Sequence, residues 1–317
     1  MPLELEVVHD TVYAYGAPVS LAHHLAHLRP LADAHQQLLM HDLIIDPPED
    51  GRQHAADTWG NACLWFSHAQ AHEALHVRSA SRVEVRPRFA AVDPASGPAW
   101  DSLAASLRYV ARAPLQPAVE FTLPSPYVPR LAGLRDWAAP SLTPGRPLAA
   151  AALELMHRLH AEFAYRSAST QVDTPLAQAF AQRAGVCQDF AHLLAGALRM
   201  WGVPVRYVSG YLLTRAPGEA TDMVGADASH AWVQVWAPGT TGLGADGWLD
   251  LDPTNDVVPG TGHVRLAVGR DYGDVAPLRG VIRGGGRHEL LVAVHVRALS
   301  PAEGDDGVGL ARSLHSA

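Results

Sequence analysis

A chain of 317 residues that is 48% hydrophobic and 18% charged carries enough apolar material for one large domain or two modest ones, so general disorder is excluded. Its 24 Lys+Arg against 32 Asp+Glu leave a net charge of −8, and neither sign gathers into a run, so no nucleic-acid partner is expected. Polar residues interrupt every long apolar window, so no membrane span is expected either.

Two further exclusions come from the amino terminus and the cysteines. MPLELEVVHDTVYAY lacks a basic stretch followed by an apolar run and a small-residue cleavage site, which makes a cytoplasmic location the expectation. The two cysteines, Cys63 and Cys187, are then expected as free thiols rather than a disulfide.

In chain order, residues 3–15, 38–46, 61–67 and 75–86 are short runs of Val, Ile, Leu and aromatics set off by Pro, Gly, Asp and His, which is strand punctuation. LEVVHDTVYAY and HVRSASRVEVRP alternate as half-buried antiparallel strands do, so residues 1–90 are predicted to form a β-rich domain. Residues 91–146 turn to Ala, Pro and Ser and are expected to connect it to the next domain. A helix is predicted from Pro147, with Leu148, Ala152, Leu155, Leu159 and Phe163 on one face.

TPLAQAFAQRAGVCQDFAHLLAGALRMWG predicts two helices broken at Ala184-Gly185-Val186. The second carries an apolar stripe of Phe190, Leu193, Leu194, Ala197, Leu198 and Trp201 and ends at Gly202 and Pro204. Strands follow at VPVRYVSGYLL, HAWVQVWA and GWLDLDP, with a loop from Thr214 to Ser229 between the first two. Two more, near residues 263 and 288, are expected to complete the same sheet, so the second domain runs over 147–299 and 300–317 form a loose tail.

This layout gives three residues a chemical reading. Cys187 opens an amphipathic helix just after a glycine, and a helix N-terminus and a nearby imidazolium are the devices that favour a thiolate. His230 opens a strand directly after a loop, and Asp252 ends one just before Pro253. Brought to one edge they would supply nucleophile, base and orienting carboxylate. Taken singly, a helical Cys is usually core, and a strand His or Asp is usually a hydrogen-bonded structural group.

GVCQDFAHLLAGALRMWGVPVRYVSGYL, ASHAWVQVW and GWLDLDPTN together resemble the bacterial transglutaminase-like superfamily, whose members carry Cys, His and Asp in that order. TVYAYGAPVSLAHHLAHLRP with DTWGNACLWF is similar to the β-rich domain that often precedes this core. The resemblance implies an α+β fold: a papain-like, transglutaminase-like core of helices packed on an antiparallel sheet, with an N-terminal β-rich domain. It also implies catalytic roles for Cys187, His230 and Asp252, an oxyanion donor at the Cys187 backbone N–H, and a second at Tyr165.

Around these residues, Asp189 reads as stabilising its helix start, beside Gln188. Trp232 either shields the His230 imidazole or fills core, and Asn255 reads as a turn residue. His68, His72 and His76, like His23 and His27, have the four-residue spacing that ligates zinc on a helix, but no further ligand completes a set. No metal and no other cofactor is expected, and Cys63 reads as a buried apolar residue.

The implied activity is acyl transfer through a thioester on Cys187, with a peptide or protein, including a small peptide, as substrate. Release to water would make a peptidase or amidase, which bacterial members of the group favour. Release to an amine would make a transglutaminase or another acyltransferase, and the cleft could also serve as a noncatalytic peptide-binding module. All 24 cationic residues are arginine. Coding bias explains that most simply, although a chain without lysine also cannot be cross-linked by its own thioester.

Overall fold

The computed structural model describes residues 1–167, 170–213 and 229–299. The predicted loop up to residue 228 and the predicted tail from 300 lie outside the described residues. Five strands open the chain: β1 (Leu3–Ala26), β2 (Gln36–Asp46), β3 (Gly51–Ala56), β4 (Ala62–His68) and β5 (His72–Val85). They pair antiparallel in the order β2-β5-β1-β4-β3. The alternation read in the sequence is the burial of every second side chain, as with Leu75, Val77, Val83 and Val85 of β5.

The segment expected to be a connection holds α1 (Trp100–Ser106) and α2 (Ala132–Ala138). Trp100, Leu103, Leu134 and Ala138 are buried in the same cluster as the helices that follow, so this segment is part of the second domain's packing. Both helices are only seven residues long, too short to be stable without such packing. Next come α3 (Leu148–Glu162), β6 (Ala164–Tyr165), α4 (Leu176–Gln182), β7 (Ala184–Gly185) and α5 (Cys187–Arg199). The face predicted for α3 is the buried one, from Leu148 through Leu155 and Leu159 to Phe163.

Helix α5 is central. Every residue from Asp189 to Arg199 is buried, and its first two residues, Cys187 and Gln188, are its most accessible. It packs against α2, α3 and α4 on one side and against β8 (Val205–Leu212) and β9 (His230–Trp236) on the other. With β10 (Trp248–Leu251) and β11 (His263–Gly269) these strands form an antiparallel sheet in the order β10-β9-β8-β11. A short helix α6 (Tyr272–Val275) leads to β12 (Leu278–Gly284) and β13 (His288–Ala298).

Here the structure corrects the sequence reading. The strand at 263 joins the four-stranded sheet as expected, but β13 does not; it pairs with β1 from Leu5↔Ala298 to Tyr15↔His288. Strand β12 pairs with the other end of β1, from Val19 to Ala26. The N-terminal sheet is thus completed by the last described residues. It lies against β8 and β11 through Leu5, Val7, Val83, Val294 and Val296, which meet Tyr211, Val264 and Leu266. The four-stranded sheet is a middle layer, with helices on one face and the N-terminal sheet on the other. Among the described residues no helix is long and apolar enough to cross a membrane.

Candidate active site

Cys187 is placed by a folded-back helix start. The residue before it, Val186, donates its backbone N–H to Asp189 Oδ2 at 2.9 Å, as in the carboxylate half of a capping box. The Asp189 carboxylate fills the space beside Gly185, where a Cβ would come within 2.6 Å of it. Only glycine fits there. Thr170 Oγ1 donates to the same Oδ2 at 2.6 Å, and Gln188 Nε2 donates to the Val172 carbonyl at 2.9 Å. Asp189 and Gln188 therefore both hold the chain at 170–172 against the helix start, a structural task.

The Cys187 backbone N–H is at the first helical position, where no intrahelical acceptor exists, so it is available to an oxyanion. Its sulfur lies 3.9 Å from the Ser229 carbonyl, beside the first residue of β9. That residue is His230, buried, with Gly210 of β8 as its cross-strand partner. A Cβ at Gly210 would come within 2.4 Å of Trp232 and within 2.3 Å of the Val264 carbonyl. The glycine lets the Trp232 indole lie flat over β8 and stack on His230, with ring centroids 6.1 Å apart and an interplanar angle of 29°.

The imidazole is oriented by Asp252, whose Oδ2 accepts from His230 Nε2 at 2.9 Å. The opposite nitrogen, Nδ1, is buried without a nitrogen or oxygen partner. Burial works against charge on this ring. The Asp252 charge and hydrogen bond, together with interaction with Cys187, outweigh it and raise the His230 pKa to about 10. Asp252 is itself fully buried, which alone would push its pKa up; the charges and hydrogen bonds of His230 and His263 hold it well below the usual carboxylate range.

Asp252 accepts five hydrogen bonds. Its Oδ1 takes the backbone N–H groups of Thr254 at 3.0 Å and Asn255 at 3.2 Å. Its Oδ2 takes Asn255 Nδ2 at 2.8 Å and His263 Nε2 at 3.2 Å besides His230. Asn255, expected only to make a turn, thus makes the turn and also fixes the carboxylate. His263 was not singled out in the sequence, and nothing local marks it: it arrives from β11 through pairing of distant strands. Tyr207 of β8 is a second such residue, buried in the cluster against which Cys187 packs, with its ring 5.0 Å from His192.

Tyr165 lies on β6 opposite Gly185, which is two residues before Cys187, and its ring centroid is 6.5 Å from that of Phe190. The histidines with four-residue spacing do not share a helical face, because they lie on strands or, for His27, just past the end of one. His68 and His72 flank the turn between β4 and β5 with ring centroids 4.9 Å apart, whereas His76 bonds to Asp10 at 2.7 Å.

Two family descriptions match in the chain's own order. The bacterial transglutaminase-like N-terminal region matches residues 5–84, and the transglutaminase-like superfamily core matches residues 135–253. The chain belongs to the transglutaminase-like superfamily. Uncharacterized proteins of Mycobacterium tuberculosis and Mycobacterium bovis are 38% identical to this transglutaminase-like chain over 300 residues, covering 94% of it and 93% of their own length. A protein-glutamine gamma-glutamyltransferase of Pseudomonas aeruginosa is 33% identical over 134 residues, 41% of this chain and 19% of that protein. A crystal structure from Cytophaga hutchinsonii, provisionally named a cysteine protease, shares the transglutaminase-like fold with a TM-score of 0.71 at 21% identity, covering 95% of this chain and 92% of that one.

Proposed function

We propose that this transglutaminase-like protein is a cysteine hydrolase that cleaves peptide or amide bonds through a thioester on Cys187. The observation that carries the reading is the aligned series: sulfur at a helix start, a buried imidazole whose free nitrogen has no other acceptor, and a buried carboxylate on its far side. In the resting pair the thiol proton already sits on His230 Nδ1, and the Cys187 thiolate attacks the carbonyl carbon. The Cys187 N–H donates to the oxyanion, and Tyr165 is the proposed second donor. Collapse breaks the C–N bond, with the leaving amine taking the His230 proton. Water then gives a proton to His230 and attacks the thioester carbon, and collapse breaks the C–S bond, releasing the carboxylic acid and restoring the thiolate–imidazolium pair.

The kinship with a gamma-glutamyltransferase favours a second reading, in which an amine replaces water in the last step. Both readings share every residue named above and differ only in the acceptor. The deciding experiment incubates wild type and Cys187→Ala with a peptide-amide library, with and without a labelled primary amine. Hydrolysed products that depend on Cys187 support the first reading. Cys187-dependent incorporation of the label supports the second. Full activity in Cys187→Ala overturns both.

A further inference from the structure

Away from this site, a second group of chemically active side chains is buried where the N-terminal sheet meets the core. His27, just past the end of β1, Asp57, in the turn between β3 and β4, and Cys63, on β4, bring one ligand atom each to within 4.8 Å of one another. His27 Nε2 is 3.2 Å from Cys63 Sγ and 3.7 Å from Asp57 Oδ2. Bond lengths of zinc to nitrogen, sulfur and oxygen at a tetrahedral centre give ligand–ligand edges of about 3.3 to 3.7 Å. The His27–Cys63 edge is slightly shorter than this range and the His27–Asp57 edge lies at its upper end, so small shifts would seat an ion.

The surroundings fit the same purpose. His27 Nδ1 donates to the Ala276 carbonyl at 3.2 Å, which fixes the tautomer that leaves Nε2 with its lone pair toward Cys63 and Asp57. Burial also keeps this ring below the usual imidazole range, hence neutral, as a ligand must be. Asp57 is held by the N–H groups of Trp59 and Asn61 at 2.9 Å and by Asn61 Nδ2 at 2.6 Å. His27 and Cys63 are 2% and 6% exposed. A thiol, an imidazole and a carboxylate together suit a borderline-soft ion rather than magnesium or calcium.

We infer that His27, Asp57 and Cys63 bind a divalent cation of the zinc type, with the fourth position left to water. Thiolate and carboxylate bring two negative charges to the ion's two positive ones. Burial pushes the Cys63 thiol up, so without the ion it keeps its proton; binding forms the S–metal bond and releases that proton to solvent. The ion would tie β1, β4 and the Asp57 turn together. That turn also carries Asn61, whose side-chain amide pairs with both the N–H and the carbonyl of Val268 in β11.

The test titrates the reduced, full-length chain with Zn²⁺ against a chromophoric chelator, and in parallel with Co²⁺. Wild type and Cys187→Ala should each bind one ion, and cobalt should give a near-ultraviolet thiolate charge-transfer band with the visible bands of a tetrahedral site. Calorimetry in buffers of different ionisation heat should show one proton released per ion. Cys63→Ala should lose the band and weaken zinc binding by at least about a hundredfold, since even outer-shell changes cost ten- to a hundredfold. Cys63→Val, which keeps the site apolar, should do the same while unchanged circular dichroism shows that the fold persists. The proposal is overturned by absence of binding, by loss of binding in Cys187→Ala, by binding without proton release, or by binding that survives Cys63→Ala. The last result would move the ion to His24, His68 and His72, each of which buries an unpartnered ring nitrogen.

Discussion

Of Cys187, His230 and Asp252, the residue that the geometry makes most demanding is Asp252. It is the common acceptor for two imidazoles, a side-chain amide and two backbone N–H groups. Asp252→Asn leaves an acceptor for the turn but forces the His230 ring toward the wrong tautomer, so peptide-amide turnover should fall about 10⁴-fold with Cys187 still alkylatable. His263→Leu removes one hydrogen bond to a charged group, worth about 1.5 to 3 kcal/mol, and should slow turnover by roughly 10- to 100-fold. His263→Gln, which keeps a donor, should recover most of it; equal loss in both variants would mean that His263 acts by bulk rather than by bonding. The three aligned residues were legible in the sequence because each opens or closes a local element with a recognisable pattern. His263, Tyr207 and the second role of Asn255 were not, because what defines them is a neighbour from another strand or a carboxylate three positions back.

At the scale of single elements, the start of α5 and the centre of β8 are where backbone and site meet. Asp189→Ala removes the acceptor for Val186 N–H and Thr170 Oγ1 and should cost about 1 kcal/mol by denaturant titration, the usual loss for a helix cap. Asp189→Asn should keep most of it, since a single amide oxygen can take both bonds. Gly210→Ala is expected to be worse, at roughly 1 to 3 kcal/mol, because the new methyl meets a carbonyl and the Trp232 ring that packs on His230. Iodoacetamide labelling of Cys187 should slow in the same variant, and an unchanged rate would disconnect Trp232 from the imidazole. The helices α3 and α5 were readable from spacing because one apolar face is repeated over several turns. The two seven-residue helices between residues 91 and 146 were not, because Ala and Pro dominate there and tertiary packing, not periodicity, makes them helical. The spacing of His68, His72 and His76 is helical in number only, and strand pairing across a turn is what places them.

Over the whole molecule, buried histidines set the response to acid. Burial lowers His9, His24 and His41 to about 4 and His192 to about 3, while an unfolded chain takes up these protons near 6.5. Their folded pKa values are depressed, so the unfolded state binds more protons as the pH drops, and stability should fall from about pH 6.5 downward. The His230–Asp252 pair acts in a different window. The raised imidazole stabilises fully below about 6.5 and is lost as the pH climbs toward 10; the depressed carboxyl stabilises above about 4 and is lost in acid. A thermal melting series should therefore show a maximum near pH 6.5 to 7, a fall toward pH 5 that is shallower in His192→Asn, and a decline toward pH 9. A melting temperature flat from pH 7 to 5 would contradict the buried-neutral state of these rings.

Strand β1 finally sets an order of events. Its two ends are flanked by β13 and β12, which are made more than two hundred residues later, so on the ribosome the first strand must wait, half-paired, for the last. The helices and the four-stranded sheet, by contrast, draw on nearby stretches of chain and can close before synthesis ends. Nascent chains from which residues up to 270 have emerged should accordingly resist protease in 176–212 and 230–269 while 1–26 is still cut, and protection of 1–26 should come only when 278–298 have emerged. Until then the apolar row of Leu5 and Val7 is uncovered on one edge, which makes β1, rather than the helices around Cys187, the part that a chaperone would be called on to hold.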